Sequence, residues 1–220
     1  MTSPFEAVRP IASQQVAIAD RLVHHEVFTM GGLLTLLWHG TGEEEQAVVM
    51  CGGAMGGLLG PADGLFHDLG VGLVDRGIAT IRVGWRRPND LDACLMDVLA
   101  VLQLATARGV ERAVTVGHSF GGAVAVQAGV VASDVVVGVA TLATQSAGCE
   151  MADQLAGRRV LCLHGDADEL LPPMCSELVA GLAGGELVVL PGTGHLMSQA
   201  GDELRERLFD WLPRVLLPVR

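Results

Sequence analysis

The chain has 220 residues and a mass of 22.9 kDa, half of the residues are hydrophobic, and 29 are glycine. That composition excludes a disordered chain and predicts one domain, residues 1–220, with a large buried core. Fourteen Lys and Arg against 25 Asp and Glu give a formal charge of −11, which disfavours nucleic acid and anionic membranes and leaves a small molecule as the expected partner.

The first residues, MTSPFEAVRPIASQQVAIADR, have no basic start followed by a continuous apolar stretch. Nothing marks them for export, and the cytoplasm is the expected location. These twenty residues are expected either to pack as an added helix or to contact a partner. Residues 113–133 carry no Asp, Glu, Lys or Arg and are long enough to span a bilayer, but their Gly, His, Ser and Gln read instead as a buried strand followed by a buried helix. No membrane insertion is expected.

Short Val-, Leu- and Ile-rich runs then alternate with segments of helical period, the pattern of a mostly parallel sheet with helices on both faces. Strands are predicted at 24–29 and 33–39, joined at Gly31-Gly32 as a hairpin. Six more follow at 46–51, 78–83, 112–117, 135–141, 159–164 and 186–190, eight in all. Helices are predicted at 62–76, 89–108, 119–131, 173–183 and 200–212, the second capped by Asn89 or Asp90 after Pro88. Leu91, Leu95, Val98, Leu99 and Leu102 recur at helical spacing and are assigned to the face packed on the sheet. The short connection from Leu142 to Val160 leaves no room for a cap domain, so an open or lightly covered site is expected.

The five cysteines (51, 94, 149, 162 and 175) are odd in number and lack paired spacing, which argues against a disulfide framework. There is no CxxC or Cys/His cluster with metal-ligand spacing, and His24 and His25 on one strand point to opposite faces. No metal is predicted.

The sharpest chemical signal is Gly117-His118-Ser119-Phe120-Gly121-Gly122. It follows the apolar run Ala113–Val116 and precedes a helical pattern. A strand-to-helix turn of this G-x-S-x-G kind strains its central residue and needs glycines beside it, because a Cβ there would clash with the neighbouring elements. It exposes the Ser119 hydroxyl at a helix N-terminus, where free N–H groups favour developing negative charge.

A serine hydroxyl needs a base, and the base needs an orienting carboxylate. Val160–Leu163 runs into His164-Gly165-Asp166-Ala167-Asp168, which places two competing carboxylates at the carboxyl end of a strand, the edge where open α/β sheets hold their ligands. Leu187–Leu190 runs into Pro191-Gly192-Thr193-Gly194-His195, whose histidine can reach the turn. His24, His25, His39 and His67 fall in predicted strands and a helix, and His118 and His164 read as structural neighbours of the motifs. For the oxyanion, one N–H comes from Phe120. The second comes from the loop Gly52-Gly53-Ala54-Met55-Gly56-Gly57, with Gly53 the first choice and Ala54 the second. That loop lacks the Lys-Ser/Thr ending of a phosphate-binding loop.

With GHSFGG, HGDADELLPP and GTGHLM the chain resembles the α/β-hydrolase superfamily over nearly its whole length, and within it the small, capless enzymes similar to dienelactone hydrolase. The resemblance implies a three-layer fold around an eight-stranded, mostly parallel sheet without a separate cap. It also implies that the acid is the last residue of H-G-x-x-D before a proline, here Asp168 ahead of Pro172. The chain departs from true dienelactone hydrolases in carrying serine where they carry cysteine, and it has Cys51 where many relatives carry His before the glycine, a change expected in the pocket wall.

The expected activity is therefore hydrolysis of an ester or related acyl bond. Ser119 is the nucleophile, His195 the base, Asp168 its orienting acid, and Gly53 and Phe120 form the oxyanion hole, without a metal or organic cofactor. Ala54, Met55, Leu58, Trp85, His118, Thr144, Gln145, Leu170 and Leu196 are the candidate pocket residues, mainly apolar, which points to a neutral or apolar substrate. An acyltransferase or perhydrolase would use the same three residues with another acceptor, and a ligand-binding module on the same scaffold is the alternative outside catalysis.

Overall fold

A computed structural model describes residues 2–217. In chain order the helices are α1 (Pro4–Ala7), α2 (Leu65–Val74), α3 (Leu91–Thr106), α4 (Phe120–Val131), α5 (Met174–Ala183) and α6 (Gly201–Leu216). The strands are β1 (Pro10–Ala19), β2 (Leu22–Thr29), β3 (Gly32–His39), β4 (Gln46–Cys51), β5 (Ile78–Gly84), β6 (Arg112–His118), β7 (Val136–Leu142), β8 (Arg159–Gly165) and β9 (Glu186–Leu190).

All nine strands form one sheet in the order β1-β2-β3-β5-β4-β6-β7-β8-β9. β1, β2, β3 and β5 pair antiparallel in succession, and every pairing from β5 through β9 is parallel. The sheet is thus the expected mostly parallel one, but with nine strands rather than eight. The additional strand is β1, within the N-terminal segment expected as a helix or a partner contact; only Pro4–Ala7 is helical there, packed against α3 with Phe5 N donating to Gln103 Oε1. Every residue of β1 is exposed. Backbone pairing to β2 holds this strand in place without burying either face, so it carries no period-2 hydrophobic signal.

The core lies in two layers. Val98, Val101 and Leu102 of α3, Val124 of α4 and Val179 of α5 pack with Val49, Ile81 and Val139 on one face of the sheet. Leu65, Leu69 and Leu73 of α2 and Leu204, Leu208 and Leu212 of α6 pack with Val48, Met50, Val114 and Leu163 on the other. Of the α3 positions assigned to the sheet-facing side, Val98 and Leu102 are buried and Leu91, Leu95 and Leu99 are partly buried against the same layer.

The helix ends differ from expectation where the backbone overrides hydrophobic period. Ala62, Asp63 and Gly64 all have positive φ (51°, 57° and 112°), so α2 begins at Leu65 rather than 62. Asn89 is also left-handed (φ 63°), and it is Asp90 that caps α3, accepting from Ala93 N at 3.0 Å. α6 was expected to stop before Pro213 but runs to Leu216. A proline leaves the carbonyl four residues back without its N–H; here that carbonyl, Phe209 O, accepts from the Arg76 guanidinium instead, while Arg112 caps the carbonyls of Val215 and Leu216. Residues 113–133 resolve into β6, the turn at Ser119 and α4. Among the described residues no helix is long and apolar enough to cross a membrane.

Candidate active site

The chain order reverses at β4: β5 lies on one side of it and β6 on the other. A crevice opens where strand order reverses, at the carboxyl ends of the strands. Cys51 at the end of β4 pairs with Gly117 near the end of β6, which sets the glycine loop and the serine turn side by side.

Ser119 sits between β6 and α4 with φ 56° and ψ −121°. Its N–H donates to Leu142 O at 2.9 Å and its carbonyl accepts from Gly122 N at 2.9 Å, which locks this conformation. The flanking glycines are required by space: a Cβ on Gly117 would overlap the Gly121 carbonyl, and one on Gly121 would overlap the carbonyls of Cys51 and Gly52.

His195 Nε2 lies 3.0 Å from Ser119 Oγ, and His195 Nδ1 lies 2.8 Å from Asp168 Oδ2. The Asp168 side chain is fully buried, and its Oδ1 accepts from Leu170 N and Leu171 N, both at 2.9 Å. Burial acts to raise this carboxyl, but the hydrogen bonds from Leu171 N–H, His195 and Leu170 N–H outweigh it and hold it below its ordinary value. The acid is thereby kept ionised opposite the imidazole. Asp166, its competitor, instead accepts from Gly192 N and ties the two loops together. A Cβ on Gly165 would overlap the Thr193 carbonyl, so glycine there lets the loops meet.

His118 also belongs to the site. Its Nε2 donates to His195 O at 3.0 Å, and its ring centroid lies 5.0 Å from that of His195. Burial lowers its pKa to about 4 against a usual 6.5, and burial beside Arg82 does the same to His39 on β3, again to about 4. Both rings stay neutral in the folded chain while the unfolded chain takes up protons from about pH 6.5 downward. The expected result is full stability above about pH 6.5 and a progressive loss between there and about pH 4, worth up to about 3 kcal/mol per histidine. Urea midpoints at pH 7, 5.5 and 4.5 check it; a flat profile would contradict it.

An open cleft of about 520 Å³ lies over Ser119. It is lined by residues 52–60, His118, Ser119, Leu170, His195 and Leu196, with no Asp, Glu, Lys or Arg among them. Of the sequence candidates, Gly53, Ala54, Met55, Leu58, His118, Leu170 and Leu196 line this cleft. Gly53 abuts the turn: a Cβ on it would lie 3.7 Å from His118 Nδ1 and 3.9 Å from Ser119 Cβ. Leu59 was missed; it is 63% exposed at the rim, and the continuation GGLLG of the glycine loop was its only sequence signal. The connection between β7 and β8 holds just one short 3-10 turn, Ala152–Leu155, and Met55 at the mouth is 91% exposed.

Three pocket expectations, and one about the pocket wall, need correction. Thr144 is fully buried beneath the turn, its hydroxyl against the Gln145 and Ser119 carbonyls. Gln145 does not line the cleft; its side chain folds back to Ala147 O. Cys51 is buried in the core and contributes nothing to the pocket wall. Trp85 is buried behind the glycine loop, its indole N–H donating to Gly53 O at 3.3 Å, and the next residue, Arg86, is clamped to buried Asp97. Trp85 braces the loop and does not contact the cleft. Since such a bond is worth about 1 kcal/mol, Trp85→Phe is expected to lower kcat roughly fivefold with KM little changed. Steady-state kinetics check this, and an unchanged kcat would show that the loop stands without the brace.

The chain matches no protein-family model and no curated protein sequence. Among solved structures it is similar to Est1E from Butyrivibrio proteoclasticus, with a TM-score of 0.73 and 18% identity over 87% of this chain and 98% of that one. It is also similar to dienelactone hydrolase from Anabaena variabilis (TM-score 0.74, 14% identity, 93% and 99% covered). A third is a predicted CIB-like hydrolase from Thermoplasma acidophilum (TM-score 0.71, 17% identity, 91% and 100% covered). Strand order, the strained serine turn and these likenesses together establish that the chain has the α/β-hydrolase fold, in a form similar to dienelactone hydrolase.

Proposed function

We propose that the chain is a carboxylesterase-like serine hydrolase acting on a small, neutral or apolar ester. The observation that carries this reading is the continuous hydrogen-bonded line from Ser119 Oγ through His195 to buried Asp168, at 3.0 and 2.8 Å. His195 takes the Ser119 proton as Oγ attacks the acyl carbon. Asp168 holds the imidazole in the tautomer that presents Nε2 to Oγ and stabilises the imidazolium that forms. The N–H groups of Phe120, at the start of α4, and Gly53, beside the turn, receive the negative charge on the carbonyl oxygen. His195 returns its proton to the leaving alcohol, and water entering the open cleft releases the acid by the same steps in reverse.

The absence of charged side chains from the cleft supports a neutral substrate, because a charged group would leave its water there without a partner to replace it. A structure of the similar Est1E holds ferulic acid, which makes an aryl acyl ester a fitting member of a test series. The test is hydrolysis of p-nitrophenyl acetate, butyrate and octanoate and of methyl ferulate, with fluorophosphonate labelling in parallel. Turnover of at least one ester and a single adduct on Ser119 are expected. A protein that neither hydrolyses nor labels would favour a ligand-binding role, and acyl transfer to an added alcohol faster than to water would favour an acyltransferase.

A further inference from the structure

Behind Asp168, on the side away from Ser119, lie two polar side chains that the reaction above does not use. His164, near the end of β8, and Ser176, in the first turn of α5, are both fully buried. His164 Nε2 is 3.0 Å from Leu171 O and 3.2 Å from Asp168 Oδ2. Both neighbours are acceptors, so the proton sits on Nε2. Nδ1 then accepts the hydroxyl proton of Ser176 at 2.7 Å. Polar contacts thus run in one line from Ser176 through His164 to Asp168 Oδ2, where the hydrogen bonds through His195 to Ser119 begin.

Oδ1 takes the N–H groups of Leu170 and Leu171; Oδ2 is hydrogen-bonded to His195 and lies 3.2 Å from His164 Nε2, whose proton goes to Leu171 O. The Leu170 and Leu171 bonds act on one oxygen and leave the carboxylate free to pivot about it. The His164 Nε2–H lies against the oxygen that faces the base and holds the carbonyl of Leu171, whose own N–H holds Oδ1. It keeps that orientation only while the His164 ring is itself fixed, and the Ser176 hydroxyl is what holds the ring's other nitrogen. A carboxylate and imidazole held this way need no rearrangement when charge develops at Ser119.

We propose that His164 and Ser176 are positioning residues, a buried hydrogen-bonded pair that aims Asp168 Oδ2 at His195 and so keeps the imidazole aligned on Ser119. The proposal rests on the hydrolase reading. The ionisable groups bearing on His195 are Asp168 directly, His164 through Asp168, and His118 from the serine turn. Moving the His164 N–H away from Oδ2 changes the charge that Asp168 presents to His195, so the pH profile of kcat/KM shifts.

The experiment measures kcat, KM and the pH profile for p-nitrophenyl butyrate in Ser176→Ala, Ser176→Thr and His164→Gln, per mole of site titrated with fluorophosphonate, with melting curves for each. Ser176→Ala is expected to lower kcat on the order of tenfold, below the roughly hundredfold that a full 1 Å misplacement costs. KM is expected to stay within about twofold and the pH profile of kcat/KM to shift. Ser176→Thr, which keeps the hydroxyl, restores the profile. His164→Gln, whose amide N–H reaches toward Oδ2, falls between the alanine variant and the parent. Unchanged kcat and pH profile in a folded Ser176→Ala, or a threonine variant as impaired as alanine, overturns the proposal. A loss of total activity with kcat per titrated site unchanged overturns it as well. A parent protein that neither turns over nor labels removes the hydrolase reading and the positioning role together, a result distinct from an active parent with indifferent variants.

Discussion

Ser119→Ala is expected to abolish ester hydrolysis, with kcat falling by about a millionfold, the scale seen when a triad loses its nucleophile. In the proposed mechanism the loss is this large because His195 and Asp168 serve only to activate the oxygen that the substitution removes. Binding of substrate changes little, since the cleft walls stay in place. A companion variant separates catalysis from stability. With φ 56° and ψ −121°, Ser119 occupies a conformation that costs a side-chain-bearing residue about 1–3 kcal/mol, and alanine retains that cost. Ser119→Gly relieves it, at an entropic cost of about 0.5–1 kcal/mol. The glycine variant is therefore expected to be equally inactive but more stable than parent and alanine variant by about 1 kcal/mol, which raises Tm by about 2–4 °C in a chain of this length. Residual turnover near the parent rate in either variant would remove Ser119 as the nucleophile. A glycine variant that melts below the alanine variant would contradict the strain.

Gly121→Ala is expected to destabilise the protein by about 3 kcal/mol or more and to remove activity with it. The added methyl would overlap two backbone carbonyls, those of Cys51 and Gly52, and backbone cannot rotate aside as a side chain can. Relief requires α4 to move away from the end of β4, which separates the Ser119 turn from Gly53. Gly181→Ala in α5 is the control, because a Cβ there meets nothing within 4 Å; it is expected to stabilise by up to about 1 kcal/mol through helix propensity alone. Urea midpoints and fluorophosphonate labelling read both variants. Equal effects at the two glycines would show that the space around Gly121 is not what limits it.

The elements nearest the site were legible because burial leaves a pattern. β4, β6, β7 and β8 are buried on both faces and read as continuous apolar runs, and each ends in the loop that carries a candidate residue or its support. β1 was not legible for the opposite reason: an exposed strand at the edge of the sheet has no face to bury, and its sequence records nothing of the pairing. Pocket membership failed at Trp85, Thr144 and Gln145, each placed at a strand's carboxyl end but drawn away by its own hydrogen bond, the first two inward and Gln145 back along its loop to Ala147 O. Asp166 and Asp168 lie two residues apart with equal chemistry. What separates them is which carboxylate meets the N–H groups of Leu170 and Leu171 and which meets Gly192.

By itself the sequence determined the layered α/β architecture, the Ser119 turn, and the chain order of the candidate serine, acid and base, because hydrophobic period and the need for glycine at crowded backbone positions are local properties that residues display one by one. Tertiary structure alone decided the distances that make three separate loops into one site, the bracing of Gly53 by Trp85, and the line from Ser176 through His164 to Asp168. Those contacts join residues brought together only when β4, β6, β8 and β9 align in the sheet, and the hydrogen bonds that fix them form between groups with no sequence relation to one another.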